Sequence, residues 1–221
     1  RIVQRLEHGT ALEEAGMDVV RALIAETKPV RFEGNNYAAE WVEEAQRRGL
    51  PNLARTPEAL EQFAKPDSVA LFTATGTFTA EEVAARHHVY LERYLKDLDI
   101  EVETLVDLVR TTVLPAALRH QQLVAESLDA VRRVRGELPL EQRGLLEACS
   151  EEIAQLHART TALQALVREL AAVDEPARAP RYAYEVAPAM LSVREVCDRL
   201  EEMVADHLWP LPKYNEMLFL S

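Results

Sequence analysis

The paired His87 and His88, the near-neighbour acids Glu101 and Glu103, and the isolated Cys149 and Cys197 are the residues whose types could do chemistry. A histidine pair could hold a metal, a carboxylate pair could act as acid and base, and a thiol could be a nucleophile. Their spacing argues against each role. Adjacent residues on a helix point about 100° apart, so His87 and His88 do not readily share one ion. Helical residues two apart do not face each other, which separates Glu101 from Glu103. No histidine follows a glutamate at three residues' distance, so the Glu-x-x-His pairs of di-iron bundles are missing. Gly9, Gly16, Gly34, Gly49, Gly76, Gly136 and Gly144 form no G-x-G, and no Gly-Lys-Ser/Thr is present, so there is no phosphate-cradling loop. No serine has a G-x-S-x-G setting, and neither cysteine stands in the surroundings of an activated thiol. The sequence therefore offers no catalytic, cofactor-binding or metal-ligating residue. The histidines and acids read as packing or solvated surface groups.

The elements around these residues are helical. Ala, Leu, Glu and Arg are abundant, with 7 Gly and 6% aromatics, and these side chains lose little freedom in a helix. A hydrophobic content of 48% is ample for a core. The net charge of −12, with the two signs mixed along the chain, argues against a nucleic-acid partner. No apolar run is long enough to span a bilayer, so no membrane partner is expected. The cysteines read as buried thiols of a cytoplasmic protein rather than a disulfide. The chain opens on Arg1 in mid-pattern, without an initiator Met, and is expected to be part of a longer polypeptide.

Thr10 precedes a helix with Leu12, Ala15, Val19, Leu23 and Ile24 on one side, ended by Pro29. Val30–Phe32 reads as extended, residues 33–36 as a loop, and Asn36 as the cap of a helix through Trp41 to Gly49. Thr56–Pro57–Glu58 starts another helix. Pro66 interrupts, and Val69–Phe72 reads as a short buried segment. Thr79 with Glu82 forms a capping box, from which a helical pattern runs to Val131 through Val83, Tyr90, Tyr94, Leu98, Leu105, Leu108 and Val109. Pro115 should kink or divide it. Gly136–Pro139 reads as a hairpin loop. A return helix follows, with a near-heptad seam at Leu145, Cys149, Ile153, Leu156, Thr160, Leu163, Val167 and Leu170. A short loop between long helices makes them antiparallel. Asp174–Pro180 reads as a linker, and Ala189–Ala205 as a last helix with Leu191, Val196, Leu200 and Val204. The apolar tail from Leu208 to Leu220 reads as docked.

Two stretches exceed what a bundle requires. One runs from Phe32 to Trp41 (FEGNNYAAEW) and continues through Arg48–Leu53 and Thr56–Leu60. The other runs from Trp209 to Phe219 (WPLPKYNEMLF). Together with Ile100–Glu101 and Leu114–Leu118, both resemble the C-terminal third of type III glutamine synthetases. Pro57–Leu95, with Gly76–Thr77–Phe78–Thr79, resembles the closing part of the common glutamine synthetase fold. Asn215 stands where that family's pattern leads one to expect a basic residue.

The resemblance implies a mainly α chain: a long antiparallel helical hairpin or bundle following the helical end of the glutamine synthetase catalytic fold. It implies residues 1–98 as the end of the catalytic domain, and 99–221 as a helical C-terminal extension with the docked tail. The parent would be an ATP-dependent glutamate–ammonia ligase using Mg²⁺ or Mn²⁺. Its metal- and phosphate-binding residues would lie upstream of Arg1, and this segment would bind no cofactor. Implied partners are the chain's own N-terminal catalytic region and further copies in stacked rings, with glutamate and ammonia as the parent's substrates. The alternative from another class is a non-catalytic helical adaptor that binds a protein partner through its long hairpin.

Overall fold

The computed structural model describes residues 1–138, 140–212 and 214–218, and the side chains of Tyr214 and Asn215 lie outside the description. The described residues are helical throughout, with no strand among them. The chain separates into two compact units, Arg1–Ala54 and Arg55–Ser221.

The first unit holds α1 (Ile2–Glu7), α2 (Leu12–Glu26) and α3 (Ala39–Arg47). Ion pairs Arg1–Glu26 and Arg5–Asp18 fasten α1 along α2. Pro29 ends α2 as expected, but Val30 belongs to a 3₁₀ turn, Lys28–Val30, and the chain turns extended at Arg31. Asn36 does not cap α3. Ala38 occupies the cap position without a side-chain bond, and Asn35 Oδ1 instead accepts the Tyr37 N–H at 3.0 Å. The expected apolar face of α2 buries Ala15 and Val19, while Leu12, Leu23 and Ile24 are exposed.

The second unit begins with α4 (Thr56–Phe63) and α5 (Pro66–Ala74). Thr56 lies one residue inside α4, with Arg55 at the cap position. Val69–Phe72 is not buried: it belongs to α5, where Leu71 is 61% exposed and no residue is buried. Phe63, Phe72, Phe78 and Tyr90 form a ring cluster instead, with Phe63 and Phe72 centroids 5.3 Å apart.

Next comes α6 (Ala80–Leu108), whose Thr79–Glu82 capping box is fully formed. Glu82 donates its N–H to Thr79 Oγ1 at 3.2 Å, and Thr79 N donates to the Glu82 carboxylate at 2.8 Å. Thr79→Ala is expected to cost about 1 kcal/mol, read as a fall of about 2–4 °C in melting temperature, with Thr79→Ser near neutral.

Pro115 neither breaks nor ends this helix. Val109–Val113 forms a π-helical turn, and Leu114 donates its N–H five residues back to the Val109 carbonyl before α7 (Leu114–Arg135) continues. The widened turn accommodates a proline that lacks its own N–H and crowds the preceding carbonyl. The core face of α6 runs through Leu91, Leu95, Val102 and Val106, then Val109 and Val113, beside the expected Tyr90–Tyr94–Leu98 stripe.

Gly136 closes α7 in the left-handed conformation at φ 79°, and Pro139 lies outside the described residues. The return helix α8 (Leu140–Leu170) buries Cys149, Leu156, Thr160, Leu163 and Leu170, as the seam requires. Leu145 departs from the seam at 60% exposed.

Asp174–Pro180 is not a linker. Glu175–Arg181 forms α9, with Pro176 in its first turn and Pro180 inside it. A second π turn, Tyr182–Val186, leads into α10 (Ala187–Met203), where Ala187 donates to the Tyr182 carbonyl and Pro188 follows. The same device thus carries two different helices past a proline. Helices α6–α7, α8 and α9–α10 enclose one core of Leu91, Leu95, Val102, Val106, Leu156, Leu163, Leu170, Tyr182, Val186, Val193, Val196 and Leu200. The mainly α bundle with a long antiparallel hairpin is borne out.

Candidate functional site

Among the described residues no three His, Cys, Asp or Glu side chains converge as a metal site. His87 and His88 stand on adjacent faces of α6, with His88 Nδ1 3.8 Å from Glu175 Oε2 on α9. Glu101 and Glu103 are both exposed. Cys149 is a buried free thiol and Cys197 a partly buried one. Burial first, and Asp198 second, push the Cys197 thiol up to about 11, the opposite of an activated nucleophile.

The family-like loop builds a small aromatic platform. The Phe32 and Trp41 rings stack with centroids 4.5 Å apart. Gly34 lies under this ring, where a Cβ would meet Phe32 Cζ at 2.4 Å, so a larger residue there makes the Phe32 ring shift off its present place against Trp41. A pocket of about 350 Å³ beside it is lined by Lys28, Arg31, Phe32, Glu33, Gly34 and Arg48. Three cations there invite an anion, but two are already engaged. Arg48 donates to the Arg31 carbonyl, to the Pro29 carbonyl at 3.1 Å and to Glu44 at 2.5 Å. Arg31 donates to the Ile24 carbonyl at 2.6 Å. Hydrogen bonds from Arg47 and then Arg48 pull the Glu44 carboxyl down to about 2, so it stays ionised against them. The nucleotide and divalent ions that the resemblance implies do not fit this set: it offers one free lysine and no group of carboxylates.

The polar side chains that do converge serve the bundle. Tyr182 donates its hydroxyl to Asp99 Oδ1 at 2.5 Å, tying the second π turn to α6. Burial, and next this bond, raise the Tyr182 hydroxyl above its ordinary range. Tyr184 donates to Glu58 on α4 and lies under the Arg55 guanidinium at 5.7 Å. Arg181 is held by Glu185 at 2.7 Å and Glu169 at 3.0 Å. Arg199 forms a two-pronged bond to Glu152 at 3.0 and 2.9 Å, joining α10 to α8. Sequence reasoning missed Asp99, Tyr182 and Tyr184. Their one signal was a pair of tyrosines beside a supposed linker, which a linker has no reason to hold.

The tail is docked over its first part. Trp209 is 9% exposed within the core, and Leu208 and Leu211 pack against it. The Trp209–Pro212 stretch is non-helical, as two prolines require. Beyond it, α11 (Tyr214–Leu218) leaves Met217 48% and Leu218 75% exposed, so the expected docking does not extend to these two. Phe219 and Leu220 lie outside the described residues. Leu211, Pro212 and Met217 roof a cavity of about 330 Å³ whose apolar wall includes Leu105, Val109 and Val113.

Residues 15–132, just over half of the chain, match the family described as the glutamine synthetase C-terminal domain. A glutamine synthetase of Bacteroides fragilis is 34% identical over 97% of the chain, which covers 30% of that protein. A type-3 glutamine synthetase of Dictyostelium discoideum is 33% identical over 91% of the chain, which covers 28% of it. A glutamine synthetase of Butyrivibrio fibrisolvens is 29% identical over 96% of the chain, again 30% of its own length. The chain thus spans less than a third of the curated relatives it matches. The resemblance drawn from the Phe32–Trp41 and Trp209–Phe219 motifs is borne out. This chain belongs to the glutamine synthetase C-terminal domain family.

Proposed function

We propose that this chain is the C-terminal segment of a type III glutamine synthetase, a cytoplasmic ATP-dependent glutamate–ammonia ligase, and that it serves as a non-catalytic scaffold. The observation that carries this reading is the alignment of nearly the whole chain with relatives more than three times its length. In the parent reaction glutamate is phosphorylated by ATP to a γ-glutamyl phosphate, from which ammonia displaces phosphate. A divalent ion supplies charge neutralisation for the phosphoryl transfer. Within this reading the ATP and Mg²⁺ or Mn²⁺ sites belong to the rest of the parent.

Within this reading, residues 1–98 end the catalytic domain and 99–221 form the extension. That boundary falls inside α6, so residues 80–98 and 99–108 share one unbroken helix. Exposed helix faces are then material for packing subunits in stacked rings.

The test compares the isolated chain with the full-length polypeptide. The isolated chain is expected to show no Mg²⁺-dependent ATP binding by calorimetry and no glutamine formation, while the full-length polypeptide shows both. Stoichiometric micromolar ATP binding by the isolated chain overturns the scaffold role. A full-length polypeptide that makes no glutamine overturns the ligase reading and favours a helical adaptor.

A further inference from the structure

We propose that the outward apolar face of α2, formed by Leu12, Val20, Leu23 and Ile24 with Met17 at its edge, is the surface on which the catalytic part of the same polypeptide docks. This rests on the reading that the chain is the C-terminal segment of a longer synthetase.

Helical spacing gathers these five residues into an arc of about 140°. Their exposures are 65% for Leu12, 48% for Val20, 45% for Leu23, 50% for Ile24 and 52% for Met17. The flanking arc is already used: Ala15 and Val19, the latter beside Leu12, are buried, and α1 is fastened along the helix by Arg1–Glu26 and Arg5–Asp18. The apolar arc is thus a second face with no cover within the unit Arg1–Ala54.

The unit it belongs to shows why a cover is required. Among the described residues of Arg1–Ala54, only Ala15, Val19 and Ala45 are buried, and all three are small. A unit of that size is marginal even with a full core, and this one has hardly any. Its large apolar side chains lie outside instead, as contiguous exposed patches do where a partner binds.

The choice of occupant follows from length and tethering. The chain covers 28–30% of its relatives, so about 70% of such a protein is outside the structure and attached to it covalently. A tethered surface is present at an effective concentration in the millimolar range, well above that of a second copy in solution. Glu13 is the one charged residue within this arc, between Val20 and Ile24, so the surface that meets the face is apolar with a polar or basic group opposite that carboxylate.

Hydrogen exchange and paired substitutions test this. The α2 amides of the full-length polypeptide are expected to exchange at least about tenfold more slowly than those of the isolated chain. Leu23→Asp is expected to leave the melting of the isolated chain unchanged and to lower that of the full-length polypeptide by about 5 °C or more, with Leu23→Ala intermediate. Equal exchange rates in the two proteins overturn the proposal. So does a Leu23→Asp effect already present in the isolated chain, which places the residue in an internal contact. Smaller particles by light scattering with unchanged melting of each subunit assign the face to a second copy and overturn the same-subunit docking. Glutamine formation by the wild-type full-length polypeptide is measured alongside. If it is absent while α2 is protected, the synthetase reading fails and the docking stands.

Discussion

Leu163→Asp is expected to abolish the cooperative melting of the bundle formed by residues 55–221. Leu163 is 1% exposed at the middle of α8, in the same core as Leu156, Val193 and Val196. A carboxylate there has no cation placed to receive it. Taking it out of water unpaired costs several kcal/mol, the same order as the total stability of a domain. Protonation relieves part of this but leaves a polar group without partners and a hole where the leucine methyls packed. The control lies on the same helix. Leu145 was expected in the same seam but is 60% exposed, so Leu145→Asp should leave the transition within about 1 °C of wild type. Thermal circular dichroism of the two variants separates a core seam from a merely periodic one. Equal melting of both would show that the seam faces solvent.

That contrast marks what periodicity can and cannot tell. The seam was legible because steps of three and four residues from Cys149 to Leu170 leave one face for a neighbouring helix. Where it stops is set by what lies opposite, which no local pattern contains, and so Leu145 was misplaced. The segment Asp174–Pro180 was misread for a related reason. Pro176 and Pro180 weigh against a helix locally, yet Ala179, Tyr182, Ala183 and Val186 on the same turns are fully buried. Tertiary burial of that row outweighs the lost backbone bonds, and the π turn after it restores the register. In α2 the error ran the other way. Leu12, Leu23 and Ile24 share the helical spacing of the buried Ala15 and Val19, but nothing within Arg1–Ala54 covers them. As for the site, spacing argues against the His87–His88 and Glu101–Glu103 pairs; His88 Nδ1 lies 3.8 Å from Glu175 Oε2, and Glu101 and Glu103 are exposed. The family was legible only through residues that bundle physics does not demand. Gly34 under the Phe32 ring and Trp209 in the core show what two of them do.

Truncation after His207 is expected to lower the melting temperature of the chain by roughly 6–20 °C without changing particle size. The removed stretch includes Trp209, which is 9% exposed and packs in the core with Leu208 and Leu211 against it. An indole of about 150–250 Å² at about 25 cal/mol per Å² contributes about 4–6 kcal/mol of burial. The half-buried Leu208 and Leu211 add to this, and the three side chains together outweigh the cost of ordering Leu208–Pro212, about 1–2 kcal/mol per residue. Pro210 and Pro212 reduce that cost, because their φ angles are fixed before folding. The net benefit therefore depends on Trp209, and Trp209→Ala alone should reproduce most of the loss, at about 3–5 kcal/mol. For a chain of this length each kcal/mol moves the midpoint by about 2–4 °C, which gives the range stated. Among the described residues the buried indole N–H has no acceptor, so no hydrogen bond to them contributes to the docking. Trp209→Phe should accordingly retain most of the stability that Trp209→Ala loses. Met217 and Leu218 are exposed and contribute little to this internal strut. Unchanged melting after truncation would refute docking of the tail. Smaller particles by light scattering would instead make it part of a contact between subunits.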